Sequence, residues 1–245
     1  MLAAAARAEE TVAFYRASWA SFPAGFVVYG FGDAGDTYHN RIRAGTVGVA
    51  RMLTRFRAEA DAEGRFAKDA AEPSRYRALF DLRSHKGTRL DVVFAARDGR
   101  RIAERAPDDM SHKPLLAEEF RRDVVDPISA FAGIRAHLRA KGAVAGDRFT
   151  IAVFDDTRRF DAEVTVTGAG SKTEPIRLHL ELKPIAGFKK ISEEKSEDIE
   201  DTPRPVELAF SNDGKLLPLR LTAPIAFLPL TVEFDHLCAD FASCE

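Results

Sequence analysis

The stretch Asp126–Thr167, DPISAFAGIRAHLRAKGAVAGDRFTIAVFDDTRRFDAEVTVT, decides the fold because its hydrophobic period changes part-way through. In the first half Ile128, Phe131, Ile134 and Leu138 fall on one apolar stripe. That spacing predicts a helix over about 127–140 whose stripe is buried against a sheet. Its start is marked by Asp126, Pro127 and Ser129. Asp126 can cap orphan N–H groups, Pro127 suits the first helical position, and Gly142 can take a left-handed stop after Lys141. From Phe160 the period becomes two. Phe160, Ala162, Val164 and Val166 share one face, and Asp161, Glu163, Thr165 and Thr167 the other, as a half-buried antiparallel strand requires.

Working outward, most of the chain alternates in the same way. Tyr76, Ala78, Phe80 and Leu82 line one strand face, Leu90, Val92 and Phe94 a second, and Leu178, Leu180 and Leu182 a third. Strands are also expected over 11–21 and 24–29 around Phe22-Pro23, over 54–62, and near 206–211, 217–222 and 228–234. Turn signals separate them at Ser84–Gly87, Arg97–Arg100, Gly168–Ser171 and Asn212–Gly214. Residues 105–123 read as a polar connection. The sum is a mainly β, antiparallel chain of about a dozen strands and one main helix, organised as a single β-rich domain over 9–245.

The 36 basic and 38 acidic residues leave no positive excess for a phosphate backbone, so nucleic acid is not an expected partner. No apolar run is long enough for a transmembrane span. Gly30-Phe-Gly32-Asp-Ala-Gly35 matches a dinucleotide-binding glycine pattern, but Asp36–Arg43 carries β-type residues where that motif needs a helix. A glycine-rich hairpin turn is the better reading, and no cofactor is expected. Arg51, Arg55 and Arg57 read as a solvated strand face. His39, His85, His112, His137, His179 and His236 never fall at metal-ligand spacing. Ser171 lacks the strand–turn–helix setting of a nucleophile, so no catalytic residue and no metal site is expected. The segment 189–205 has six acidic residues within Ser192–Asp201 and reads as a mobile acidic loop.

Three features remain as candidate sites. The polar cluster Asp155, Asp156, Arg158 and Arg159 is either an anchor for a polar headgroup or partner, or, as its Asx content favours, a hairpin turn with local ion pairs. Cys238 and Cys244 can form a disulfide in an oxidising compartment if the chain turns between them; in the cytosol they would stay thiols. Met1–Ala8 is either the remnant of a signal peptide, with Ala6 and Ala8 before the cleavage point, or an Ala-rich helix start.

Asp126-Pro-Ile-Ser-Ala130, Val153-Phe-Asp-Asp-Thr-Arg-Arg-Phe-Asp161, Lys183-Pro-Ile-Ala-Gly187 and Leu217-Pro-Leu-Arg220 resemble, in order and spacing, the landmarks of the proteobacterial domain-of-unknown-function family 3108. Ala44–Gly48, Glu63-Gly64 and Pro73–Tyr76 extend the resemblance over nearly the whole chain. The chain departs from it at Asp156-Thr157, where an Asp-Gly turn is usual. The resemblance implies a strongly curved, open or spiral β-barrel-like sheet and a secreted, periplasmic location, which favours the signal-peptide reading. It carries no catalytic residues. The expected function is that of a non-enzymatic, envelope-associated protein sheltering a lipid-like ligand in its curved sheet. The alternative is an interaction module that meets envelope proteins through sheet edges or the acidic loop.

Overall fold

A sheet whose strands are apolar on one face must cover that face, and a long enough antiparallel meander can do so by curling round on itself. The structure, a computed structural model, describes residues 10–82, 87–106, 114–188, 202–225 and 228–245. It is mostly β, with 13 antiparallel strands in one nearly closed, barrel-shaped sheet. The first seven are β1 (Thr11–Trp19), β2 (Phe22–Ala34), β3 (Thr37–Thr46), β4 (Arg57–Ala67), β5 (Ala70–Asp81), β6 (Thr88–Arg97) and β7 (Arg100–Arg105). The remaining six are β8 (Arg148–Phe154), β9 (Arg159–Gly168), β10 (Ile176–Ala186), β11 (Arg204–Phe210), β12 (Pro218–Ile225) and β13 (Leu228–Cys238). Helix α1 (Gly48–Leu53) follows β3, and α2 (Ser129–Lys141) precedes β8.

The strand order β7-β6-β5-β4-β3-β2-β1-β13-β12-β11-β10-β9-β8 consists of two meanders joined where β1 pairs with β13. One seam remains, between β7 and β8. The chain stitches it with its own segment Arg121–Val125. Arg122 bridges Ile102 on one side and Val125 bridges Val153 on the other, with Asp123 N donating to Arg101 O at 2.7 Å and Phe154 N to Val125 O at 2.8 Å. That segment delivers the chain directly into α2.

The expected one-sided helix is corrected by its surroundings. Ile134 and Leu138 pack on Val164, Val166, Leu178 and Leu208 as the stripe predicts, but Ala132, Arg135 and Ala136 on the other sides are buried too. The helix lies inside the barrel, not over a sheet. Small residues make this fit possible: a Cβ on Gly133 would already touch Ile151 Cδ1 at 3.4 Å and Ala71 Cβ at 3.9 Å. Each fully buried Ile or Leu on the stripe contributes about 1.5–3 kcal/mol.

Four local expectations also change. The β1–β2 turn is Ala20–Ser21, both at positive φ as a two-residue hairpin turn needs, so Phe22-Pro23 already belong to β2. The strand expected from Thr54 starts at Arg57, leaving Arg51 on α1 and Arg55 at φ +49°. β2 runs through Gly30 and Gly32 to a turn at Gly35–Asp36; a Cβ on Gly30 would lie 2.6 Å from Glu10 Oε1, so that glycine serves close approach within a strand. β7 is a strand that was not expected: it fills the residues between the Arg97–Arg100 turn signal and the polar connection and takes Arg105 from the latter, because four of its six residues are charged and mask the pattern. The acidic stretch 189–201, the turn at 83–86 and the start 1–9 lie outside the described residues. Arg204 and Pro205, expected in the loop, open β11, where Pro205 pairs only with β10.

Candidate functional site

Along the barrel interior burial changes from one end to the other. Where the β2–β3 and β4–β5 turns lie, the inward residues Tyr29, Phe31, Tyr38 and Asn40 are fully buried under α2. Toward the other end, where the β1–β2 and β12–β13 connections lie, Ala17, Val27, Ile42, Ala44, Ala223 and Val232 are only half-buried.

The closed end is polar at its centre. Arg135 has no exposed side-chain surface and donates from Nη1 to Tyr29 Oη at 2.8 Å and from Nη2 to Asp33 Oδ1 at 3.1 Å and Asn40 Oδ1 at 3.2 Å. Its guanidinium stacks 4.3 Å from the centre of the Phe31 ring, and Nε has no partner. Burial pulls its pKa down, yet Tyr29 and Asp33 more than offset this and hold it above the ordinary value. Nine residues before it, at the start of the helix, Asp126, fully buried, accepts from Ile128 N at 3.0 Å and Ser129 N at 2.8 Å through Oδ1, so it does cap the helix. Ser129 Oγ in turn accepts from Tyr38 Oη at 2.8 Å. Oδ2 of Asp126 has no partner, and burial pushes the carboxyl up to about 6. Pro127 lies in the first turn between cap and helix.

The cluster at 155–159 resolves into separate jobs. Asp155 Oδ1 accepts from Arg158 N at 2.8 Å and Thr157 N at 3.3 Å, closing its own turn, and burial raises its pKa. Asp156 is fully buried at φ +78° and takes both ends of the Arg105 guanidinium, at 2.7 and 2.9 Å. This bidentate pair joins β7 to the β8–β9 turn and is a second latch across the seam. Arg159 pairs with Asp161, two residues on, and Arg158 lies 5.5 Å over the Phe188 ring. Of the four, Asp156 is the one that reaches across the seam; Asp155 and Arg159 are engaged within the β8–β9 hairpin and Arg158 beside Phe188.

The open end holds a cavity of about 230 Å³. β1 and β2 contribute Tyr15, Val27 and Tyr29, β3 Ile42, β12 and β13 Leu221 and Val232, and the α2 end of the chamber Ile128 and Phe131. The tyrosine hydroxyls do not make it polar: Tyr15 Oη donates to Pro218 O at 2.9 Å and Tyr29 Oη is held by Arg135. A wider depression of about 630 Å³ lies on the outer face beside the C-terminal tail, bordered by Arg16, Arg43, Glu233 and Glu245. It is a surface groove with charged walls, and the interior chamber is the better enclosed by apolar carbon. Among the described residues no group of His, Cys, Asp and Glu could hold a metal ion, and no helix is long and apolar enough to cross a membrane.

A family model described as a protein of unknown function, DUF3108, matches residues 15–235. The chain belongs to that family. No curated protein matches it. Among solved structures, a β-barrel-like protein of domain of unknown function DUF1849 from Brucella abortus is similar, with a TM-score of 0.61 at 9% identity over 95% of this chain and 97% of that one. At that identity the likeness speaks for the fold.

The family-like motifs have physical roles in this barrel. A Cβ on Gly64 would collide with Glu72 O at 2.3 Å and Tyr38 Oη at 2.6 Å, so Gly64 admits the tyrosine that holds Ser129. Gly187 lies at φ +83°, where a Cβ would be 2.0 Å from Thr157 O, so it lets β10 close on the seam turn. At that turn Asp156 takes a positive φ, a conformation that Asp tolerates better than most side chains. Cys238 and Cys244 are bonded, with Cα atoms 5.4 Å apart, and their loop packs Cys244 on Val12 and Val28 outside the barrel. Sequence reasoning missed Arg105, Arg135, Tyr29, Asp33 and Asn40. The small residues flanking Arg135, Ala132-Gly133 and Ala136, are the one local signal that its side of the helix is enclosed.

Proposed function

We propose that the protein is a non-enzymatic, periplasmic, envelope-associated binding protein whose barrel takes an apolar, lipid-like guest through its open end. The observation that carries this reading is the apolar chamber of about 230 Å³ between α2 and the half-buried inner residues Val27, Ile42, Leu221 and Val232. Its size lies below the roughly 300–1,000 Å³ of drug-sized ligand sites, so it suits one acyl segment better than a whole lipid. The Cys238–Cys244 bond supports an oxidising compartment. The stitched seam leaves little free sheet edge between β7 and β8, which weighs against an edge-pairing interaction module.

Displacement of a fluorescent fatty acid from the purified protein, with native mass spectrometry of the same sample, tests the guest. Saturable binding is expected, and Val232→Trp, which fills the chamber, should weaken it by at least about tenfold. Absence of any bound or displaceable apolar ligand from the wild-type protein would sink the reading. Release of the protein by osmotic shock tests the compartment; retention with cytosolic markers would overturn it.

A further inference from the structure

The rim of the open end is itself apolar. Six of the eleven large apolar side chains exposed among the described residues gather there: Trp19 and Phe22 flank the β1–β2 turn, Val49 and Met52 sit one turn apart on α1, and Ile225 and Leu228 pair between β12 and β13. These elements are neighbours. β1 lies between β2 and β13, α1 packs on β2, Val47 N donates to Ala24 O, and Ala20 N donates to Pro229 O, each at 3.0 Å. Phe22 is 75% exposed and Val49 and Met52 are each 72% exposed, so this is a raised ring and not the edge of the core.

Along the sector of the rim that carries these side chains, from the β12–β13 connection through β1–β2 and α1 to the β5–β6 connection, the charge is one-sided. Over residues 18–25, 45–57, 80–82, 87–89, 223–225 and 228–229 the charged side chains are Arg51, Arg55, Arg57 and Arg89 against Asp81. Arg51, Arg55, Arg57 and Arg89 are all exposed. In a chain of formal net charge −2, a local excess of basic groups beside exposed Trp, Phe and Met is the composition of an interface with anionic lipid. Aromatic rings suit the headgroup boundary and arginines the phosphates. An acidic protein surface could meet the same arginines, and the vesicle experiment below separates the two occupants.

We propose that the ring Trp19, Phe22, Val49 and Met52 with Arg51, Arg55 and Arg57 docks the open end of the barrel on the surface of an anionic lipid bilayer. The mouth of the chamber then faces the acyl region. This deepens the proposed function and rests on it only for the destination of the guest. Docking requires no helix to span the bilayer, only insertion of a few side chains into the headgroup boundary.

Trp19 is the sole tryptophan and therefore reports on the rim directly. With the full chain and vesicles of equimolar phosphatidylglycerol and phosphatidylcholine, co-sedimentation is expected, together with a blue shift of Trp19 emission and its quenching by brominated acyl chains. Pure phosphatidylcholine vesicles or high salt should weaken binding. Phe22→Ser with Val49→Ser should weaken partitioning by at least about tenfold. Because both side chains are exposed, circular dichroism should match wild type. The same variant should still bind fatty acid in vesicle-free buffer, whereas Val232→Trp should lose fatty acid and keep the vesicles. The two readings can thus fail separately. No vesicle binding, sedimentation with Trp19 still in water, or vesicle-free self-association that buries Trp19 would each overturn the docking proposal, the last by assigning the rim to a second copy.

Discussion

The two ends of the barrel interior are made from the same strands but by opposite means. On β2 and β3, Tyr29, Asp33 and Asn40 turn inward at the closed end and are consumed by Arg135, while Val27, two positions back on β2, and Ala44, four positions on from Asn40 on β3, turn inward toward the open end and are only half-buried. A buried charge needs its partners fixed to within a few tenths of an ångström, so it specifies where the helix sits. Apolar walls with no plug specify nothing comparable and leave room. One end sets the geometry and the other stays available.

The closed end is where a substitution should be felt most. Arg135→Met keeps much of the volume but leaves the buried Tyr29 hydroxyl and Asn40 Oδ1 without their donor and takes one of two arginines from Asp33. A loss of about 3–5 kcal/mol is expected in chemical denaturation. Arg139, 2.6 Å from Asp33 Oδ2, spares part of that penalty. A loss below about 1 kcal/mol would mean that the cluster does not fix the helix and would erase the contrast between the ends.

Asp126 sharpens the same contrast through pH. Its ordinary pKa is 3.8 and burial raises it to about 6 in the fold. Below about pH 4 it is protonated in folded and unfolded chains alike. Between about pH 4 and 6 the unfolded chain gives up the proton while the folded chain keeps it, so stability falls as pH rises, by about 3 kcal/mol across the window, and is flat above it. Glu72, Glu118, Asp147 and Asp235, all held below their ordinary values by arginine or histidine partners, act with the opposite sign at lower pH. The informative quantity is therefore the difference between wild type and Asp126→Asn. The amide keeps the acceptor for Ile128 N and Ser129 N, so the variant should fall less steeply than wild type between about pH 4 and 6, Asp155, also raised by burial, keeping its own share, and be at least as stable as wild type at pH 7. Denaturation series at several pH values check this. A slope unchanged in the variant would show that Asp126 is not the group responsible.

The same contrast explains what could be read in advance. Alternation over Tyr76–Leu82, Leu90–Phe94 and Leu178–Leu182 is a local property, so the strands and their inward faces were legible, as was the helix from its stripe and its Asp126 cap. Arg135 was not, because its partners lie 95 to 106 residues away and each looks ordinary in its own strand. Arg105 and Asp156, 51 residues apart, are hidden in the same way. The seam segment Arg121–Val125 reads as a polar linker, since its work is shared between backbone groups and the side chains of Arg121 and Asp123, which meet β7 through backbone groups that the sequence does not mark. The chamber left only a faint trace, in the small inward residues Ala17, Gly25, Ala44 and Ala223 that lead from it to the rim.

The smallest effect belongs to the open end. Val27 lines the chamber, and its neighbour Val28, on the opposite face of β2, is fully buried beneath Val12 and the disulfide loop. Enlarging each by the same substitution separates empty space from filled space within one strand. Val28→Phe must force apart a packed layer and should cost about 1–3 kcal/mol. Val27→Phe can place its ring in the existing cavity, at a change between about zero and a gain of 1 kcal/mol, as cavity-filling substitutions give. Thermal and chemical denaturation of the pair provide the measurement. Equal losses at both positions would mean that the chamber is already closed by packing. A tolerated Val27→Phe that no longer takes up fatty acid would tie the space, the tolerance and the guest to the same few side chains.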